Sequence, residues 1–251
     1  MLWLNDRLVA PEAARIDPAD RGLLLGDGLF ETLAVADGAP CHPARHLARL
    51  AAGCALLRLP VPARAEEAIA AVLAATGLAE GSLRLTWTRG PGPRGVLPPA
   101  PPRPTLLVTA TPGAAPAGPV RLITATVTRR NEQSPLCRVK HLNYLDNILA
   151  RQEAAAAGAD DALLLNTAGD VAETTVANIV LRIGGRWLTP AAGSGCLPGT
   201  RRAILLEDGR AEESRLTPAD LRHAEAACVT NATGIRPVSH LDGRRLSGES
   251  L

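Results

Sequence analysis

Runs of alternating or helically spaced apolar residues, broken by glycine and proline, divide the chain into short elements. Leu2–Leu4, Arg7–Val9 and residues 29–35 read as strands, with turns at Asn5-Asp6 and Asp37-Gly38. Residues 20–32 are punctuated by glycine and read as a tight loop feeding the third of these strands. Residues 43–50 open a helix with apolar positions Leu47, Leu50 and Cys54, and 63–76 form a second amphipathic helix stopped by Gly77. A strand at 82–88 leads into the irregular loop 89–96. Residues 98–104 are dense in proline, and 105–111 close a first lobe. Residues 113–118 have linker composition, which places the lobes at 1–112 and 119–251.

The second lobe opens with a strand at 120–127 and reaches Lys140 through a polar loop. A helix follows. Asn143 can cap it, Asp146 stands three residues on as in a capping box, and Leu142, Leu145, Ile148 and Leu149 repeat at helical spacing until Gly158 stops it. Next come a strand at 161–166, a turn at 167–170 and a returning strand at 171–183 that carries Glu173. Gly184-Gly185 turns the chain into 186–190, and a glycine-rich loop at 193–202 enters a helix at 203–206.

Composition narrows the functional classes. With 251 residues and a net charge of +2, the chain has ample core material and no electrostatic case for nucleic acid or an anionic membrane. No run approaches the ~18 apolar residues of a membrane span, and charge interrupts the opening stretch too early for a signal peptide. The five cysteines are scattered and odd in number, which supports neither a disulfide framework nor structural zinc and fits a cytoplasmic location. The five histidines lack ligand spacing, so no metal is expected.

Two features suggest chemistry. A lysine ahead of a helix is commonly a solvated surface group, but Lys140 neighbours an apolar helix and a hairpin holding a partly buried acid. A desolvated lysine loses its proton more readily and can act as a nucleophile or base. The loop at 193–202 could be an ordinary loop-to-helix junction or an anion site, since a helix N-terminus offers free N–H groups. The loop at 20–32 has neither GxGxxG nor a Walker lysine, so it is not a nucleotide loop.

The runs KHLNYLDNILARQEA, GADDALLLN and GDVAETTVANI resemble the lysine-to-glutamate core of the class IV, or fold-type IV, pyridoxal-phosphate enzymes. That family holds branched-chain and D-amino-acid aminotransferases, (R)-selective amine transaminases and aminodeoxychorismate lyases. The similarity runs, with gaps, from Asp20 to about Val238. It implies an α/β fold, with a small N-terminal lobe and a larger C-terminal pseudo-barrel lobe carrying the cofactor lysine. It implies pyridoxal 5′-phosphate as cofactor, a small-molecule amine donor and a 2-oxo acid as substrates, and a homodimer.

Residue by residue, the resemblance gives Lys140 the cofactor and the proton transfer, and sets Glu173 against the pyridine nitrogen. Arg49, in the HLxRL-like stretch, would bind the phosphate together with the amides of Thr200 and Arg201 and the loop of Asn231 and Ala232. Leu197 would pack on the ring, Tyr144 would reach its phenolic oxygen, and Thr175 would contact phosphate or substrate. Phe30 and Thr32, in the GDGxFET-like stretch, would line the substrate side. Arg94, the second arginine of a TRGxxxRG-like loop, would hold a substrate carboxylate.

The sequence departs from the D-amino-acid enzymes at Phe30, Ala34 and Val96, and Val96 also replaces an aromatic of the lyases, so the implied pocket is less polar than either. The reading that follows is a transaminase for D-amino acids or (R)-amines, with 4-amino-4-deoxychorismate lyase as the alternative. A branched-chain L-amino-acid aminotransferase or a non-catalytic binding protein fits less well. Lys140 and Glu173 serve transfer and lyase chemistry equally, so they do not decide between the two.

Overall fold

A computed structural model describes all 251 residues. The chain divides into two compact units, one of residues 1–115 with 139–143, the other of residues 116–138 with 144–251. No helix is long and apolar enough to cross a membrane.

The first unit contains β1 (Leu2–Leu4), β2 (Arg7–Val9), α1 (Arg21–Leu25), β3 (Gly28–Ala36), β4 (Ala39–Pro40), α2 (Pro43–Leu57), α3 (Ala65–Thr76), β5 (Gly81–Thr88) and β6 (Thr105–Pro112). Its strands form one antiparallel sheet in the order β2-β1-β6-β5-β3-β4. Period-2 alternation sends Leu29, Leu33 and Val35 of β3 and Leu83, Leu85 and Trp87 of β5 to one face. There they meet Leu50 and Cys54 of α2 and Ile69 and Val72 of α3 in a single core. Glycine closes α3, with Gly77 at φ +60°.

The second unit contains β7 (Val120–Thr124), α4 (Leu145–Ala156), β8 (Asp161–Leu165), β9 (Val171–Thr174), β10 (Asn178–Ile183), β11 (Arg186–Pro190), α5 (Thr200–Glu207), β12 (Glu212–Ser214), α6 (Pro218–His223), β13 (Ala226–Asn231), β14 (Gly234–Leu241) and β15 (Arg244–Arg245). Its mixed sheet runs β12-β11-β10-β13-β14-β7-β8-β9, with β15 on β14. β9 comes back against β10 and β11, so the sheet curls toward closure as a pseudo-barrel. The core inside it is built from Val120, Leu122, Leu163, Ile179, Leu181 and Val238.

Several expectations change. The glycine-punctuated loop contains the short helix α1, because the Asp20 side chain accepts the N–H of Gly22 and Gly26 ends the turn at φ +64°. The strand from 120 ends at Thr124. The returning strand at 171–183 is two strands: β9 pairs with β8, the chain breaks at 175–177 where Thr174 and Ala177 bond to each other, and β10 pairs with β11 and β13.

The capping box before α4 is absent. Tyr144 occupies the cap position, Asn143 donates instead to the Gly26 carbonyl, and Asp146 accepts from Thr128. The apolar stripe of α4 also faces outward, with Leu145 75% exposed and Ile148 and Leu149 exposed beside it, while Ala150 and Ala154 pack inward on Ala125, Ala162 and Leu164, and the buried Asn147 donates to the Thr175 carbonyl. The helix after the glycine-rich loop starts earlier, at Thr200. Finally, residues 139–143, placed in the second lobe by chain order, belong to the first unit because their backbone pairs with β3.

Candidate active site

In the first unit the site is built on the face of β3 opposite the core. Phe30, Thr32 and Ala34 alternate onto it, opposite Thr86, Arg84 and Ser82 of β5. The segment carrying Lys140 docks along the strand. The Lys140 carbonyl accepts the N–H of Phe30 at 2.9 Å, the Gly28 carbonyl accepts that of Leu142 at 3.1 Å, and His141 bridges Leu29. Glycine permits this approach, since a Cβ on Gly28 would lie 2.7 Å from the Trp87 carbonyl oxygen and 2.9 Å from Leu142.

The result places Lys140 Nζ 4.4 Å from the centre of the Phe30 ring, with the Arg84 guanidinium carbon at 3.8 Å from it. Two cations on one aromatic ring are each favoured by its quadrupole and repel each other. Sequence reasoning passed over Arg84. Its signal was the alternation of β5, which puts it on the same face as Thr86. Lys140 also carried an unread signal: it is the only lysine in the chain.

Glu31 points to the other face of β3 and is 1% exposed. Arg49 of α2 meets it with Nε at 2.8 Å and Nη2 at 2.6 Å, and His46 Nδ1 lies 2.7 Å away. Burial pushes the Glu31 carboxyl up, but the hydrogen bonds and charge of Arg49, then His46, outweigh it and hold the group below its ordinary range. One edge of the Arg49 fork is thus fixed by Glu31, which orients the guanidinium. Arg94 is not brought to the Phe30–Thr32 face by any bond of its own: it lies exposed in the 89–104 loop. Arg89 of the same loop is buried, not solvated, and bonds Asp27 at 2.8 Å.

In the second unit β9 holds Glu173, which is buried. Its Oε1 pairs with Arg130 Nη2 at 2.9 Å, and its Oε2 accepts the backbone N–H of Leu197 at 3.0 Å. The Leu197 carbonyl in turn accepts from the Asn178 amide at 2.8 Å. Arg130 and Asn178 were missed, Arg130 because nothing in the spacing of the polar loop before Lys140 marks it. Gly199 follows. A Cβ there would stand 2.1 Å from Asn178 Oδ1, so any larger residue would displace the Asn178 side chain that holds the Leu197 carbonyl.

Gly199 is also the N-cap of α5 and makes no side-chain cap bond. The Arg201 side chain donates to the carbonyls of Asn231 and Ala232 at 3.1 and 3.3 Å, which ties the α5 N-terminus to the β13–β14 turn. Thr200, Arg201, Asn231 and Ala232 are therefore gathered in one place. Asn231 Oδ1 is engaged by the N–H and hydroxyl of Thr233. The Thr175 hydroxyl bonds Asp161 and Arg151, so its polar atom serves that network. Tyr144 stands half-buried at the start of α4. Cys196 and Cys137 lie near Glu173. Burial pushes the Cys196 thiol up to about 11 and also raises that of Cys137, which disfavours the thiolate of both.

The family model described as amino-transferase class IV matches residues 28–241. A putative branched-chain-amino-acid aminotransferase of Methanocaldococcus jannaschii is 33% identical over 261 residues, covering 100% of this chain and 91% of that protein. A D-alanine aminotransferase of Listeria innocua is 31% identical, covering 96% and 87%. The crystal structure of 4-amino-4-deoxychorismate lyase from Pseudomonas aeruginosa superposes with a TM-score of 0.87 at 35% identity, covering 99% and 94%.

Solved relatives hold pyridoxal 5′-phosphate or its amine form. The donor set here fits such a group. A buried carboxylate held by Arg130 suits a ring nitrogen, and the α5 N-terminus behind Gly199 suits a phosphate.

Proposed function

We propose that this chain, which belongs to the class IV aminotransferases and takes pyridoxal 5′-phosphate as its cofactor, transfers an amino group from a D-amino acid or (R)-amine to a 2-oxo acid. The observation that carries this reading is the wall beside Lys140: Phe30 packs against its Nζ, and Thr32 and Ala34 extend the same strand face. Such a wall favours small or apolar donor substituents. The similarity to a D-alanine aminotransferase supports the same hand.

When bound, the cofactor supplies an electron-accepting ring that spreads the negative charge left on the donor Cα. Lys140 Nζ is the base that takes the Cα proton, standing against the Phe30 ring that it shares with Arg84. Glu173, oriented by Arg130 and the Leu197 N–H, holds a proton on the ring nitrogen. The amides of Thr200 and Arg201 and the Asn231–Ala232 turn would bind the phosphate, a role the resemblance also gives Arg49, and Leu197 and Tyr144 would flank the ring. Thr32 lines the donor pocket, and Arg94 and Arg84 supply charge for a substrate carboxylate.

A homodimer belongs to this reading. The outward stripe of Leu145, Ile148 and Leu149, with Val176 also exposed in that unit, is apolar surface that a second copy would cover. A cytoplasmic location is proposed from the five cysteines, all present as free thiols.

The lyase is the second reading, favoured by the similarity to the Pseudomonas lyase structure. The test is a half-reaction on the cofactor-loaded protein with D-alanine, (R)-1-phenylethylamine, L-leucine and aminodeoxychorismate in separate cuvettes. Conversion of the cofactor absorbance to the amine form by D-alanine or the (R)-amine is expected. Release of pyruvate and 4-aminobenzoate from aminodeoxychorismate, with no response to the amines, would overturn it.

A further inference from the structure

We propose that Arg21 is a positioning residue that holds the 92–98 loop in the shape from which Arg94 acts, an inference that rests on the carboxylate role given to Arg94 above. The helix α1 is inverted relative to an ordinary amphipathic turn. Its leucines, Leu23, Leu24 and Leu25, are exposed, and its buried member is the arginine. A buried guanidinium is costly unless each edge is satisfied. Here Nε donates to Asp27 Oδ2 at 2.8 Å, Nη1 to the Gly95 carbonyl at 2.8 Å and Nη2 to the Val96 carbonyl at 2.9 Å. All the anchoring distal to Asp27 is therefore spent on the two residues that follow Arg94.

The anchor is itself fixed. Asp27 Oδ2 also accepts from Arg89 Nε at 2.8 Å, and Arg89 Nη2 donates to the Leu57 carbonyl at the end of α2 at 2.8 Å. Burial pushes the Asp27 carboxyl up, and the hydrogen bonds from Arg89 and Arg21 more than offset this, holding it below the usual carboxylate range. The near end of the loop is pinned by backbone, with Arg21 N–H to Gly90 O at 3.0 Å and Gly92 N–H to Ala19 O at 3.2 Å. Gly92 also packs on the Arg21 stem, where a Cβ would lie 3.0 Å from Cδ. Beyond Gly92 the loop turns outward, with Val96 86% exposed and Leu97 beside it, and the two Arg21 bonds tie it to the body of the fold. Gly95 sits at φ +113°, a conformation that suits glycine and leaves the loop little stiffness of its own.

Lysine cannot reproduce this latch, because an ammonium is a point donor and cannot span an acid and two carbonyls as a planar fork does. The test compares the cofactor-loaded wild type with Arg21→Lys, Arg21→Met and Arg94→Ala in two assays. One is the rate of tryptic cleavage after Arg94, read by mass spectrometry. The other is kcat and KM for D-alanine and for (R)-1-phenylethylamine, which has no carboxylate; aminodeoxychorismate replaces D-alanine if it is the substrate. Both Arg21 variants are expected to be cut roughly tenfold faster or more. They should raise KM for the carboxylate substrate about tenfold or more, with kcat and the amine KM unmoved, as in Arg94→Ala. Arg21→Lys keeps the charge and guards against a variant that fails to fold.

Cleavage unchanged in Arg21→Lys overturns the latch whatever the kinetics. Faster cleavage with an unchanged carboxylate KM, while Arg94→Ala raises it, overturns the positioning role and leaves the Arg94 reading standing. If Arg94→Ala itself leaves that KM unchanged, the Arg94 reading fails and the proposal falls with it.

Discussion

Two buried glutamates, each paired with an arginine, do different work in this protein. Glu31 alternates onto the core face of β3, and its partners, Arg49 and His46, are both side chains of α2. It is an internal brace between a strand and the helix that packs on it. Glu173 lies in β9, and its partners are Arg130, from the loop after β7, and the backbone N–H of Leu197, in the loop that enters α5. It joins two segments of the proposed cofactor site. Two acid–arginine pairs of similar length and burial thus differ in what lies on the far side of the carboxylate, which is a matter of topology and not of residue type.

The largest effect that sharpens this contrast is on turnover. Glu173→Gln removes the negative charge expected at the ring nitrogen and should lower kcat by about 100-fold or more, with the melting temperature little changed. A steady-state assay beside a thermal melt reads both, and an unchanged kcat would erase the distinction. Because Glu31 orients Arg49, Glu31→Gln should act chiefly on the melt, and on activity only through weaker cofactor binding. It leaves Arg49 and His46 against a neutral group in the core and should cost about 3 kcal/mol, or roughly 6–12 °C in Tm. A melt that does not move, combined with lost activity, would put Glu31 in the chemistry.

Arg130→Lys keeps the charge beside Glu173 but loses the planar fork, so a drop of roughly tenfold in kcat is expected, with the cofactor still bound. Kinetics and the absorbance of the bound cofactor check it.

The smallest effect is a pH dependence. Glu31 and Asp27 have native carboxyl pKa values below their ordinary ones. The unfolded chain therefore binds more protons between the two values, and stability rises with pH there. The contribution is fully present above the unfolded carboxylate range near ~4 and is lost as pH falls through the depressed native values. Denaturant midpoints taken from pH 6 downward should fall in that window. In Glu31→Gln the fall should be shallower, and an identical slope would show that Glu31 does not take part.

Much of this was legible in the sequence because local rules agreed with the fold. Turn residues at Asn5 and Asp37 adopt positive φ as their types allow, Gly77 closes α3, and the alternation in 29–35 identifies β3. The candidate residues around α5 and the β13–β14 turn came from the resemblance, and the fold gathers Thr200, Arg201, Asn231 and Ala232. What was not legible depended on tertiary competition. Asn143 is a good cap by type, yet Gly26 offers its amide a carbonyl and the cap is lost. The stripe of α4 reads as a core face, but the space under the helix accommodates only alanine and Asn147, so the leucines turn outward. Glu31 and Arg130 have no spacing signal, since one meets its partners across a strand and the helix packed on it and the other through a loop, whereas Arg84 was marked only by the alternation of β5.

The central claim is that Lys140 is the amine that carries the cofactor, and the composition of the chain makes it open to one clean measurement. Lys140 is the only lysine present. Borohydride reduction of the cofactor-loaded protein, followed by peptide mass spectrometry, fixes the cofactor to whichever amine holds it. A single pyridoxyl adduct on Lys140, lost after prior treatment with a productive amine donor, is the result the account predicts. Cofactor bound in full with no adduct on Lys140, or with the adduct on the N-terminal amine alone, would contradict it.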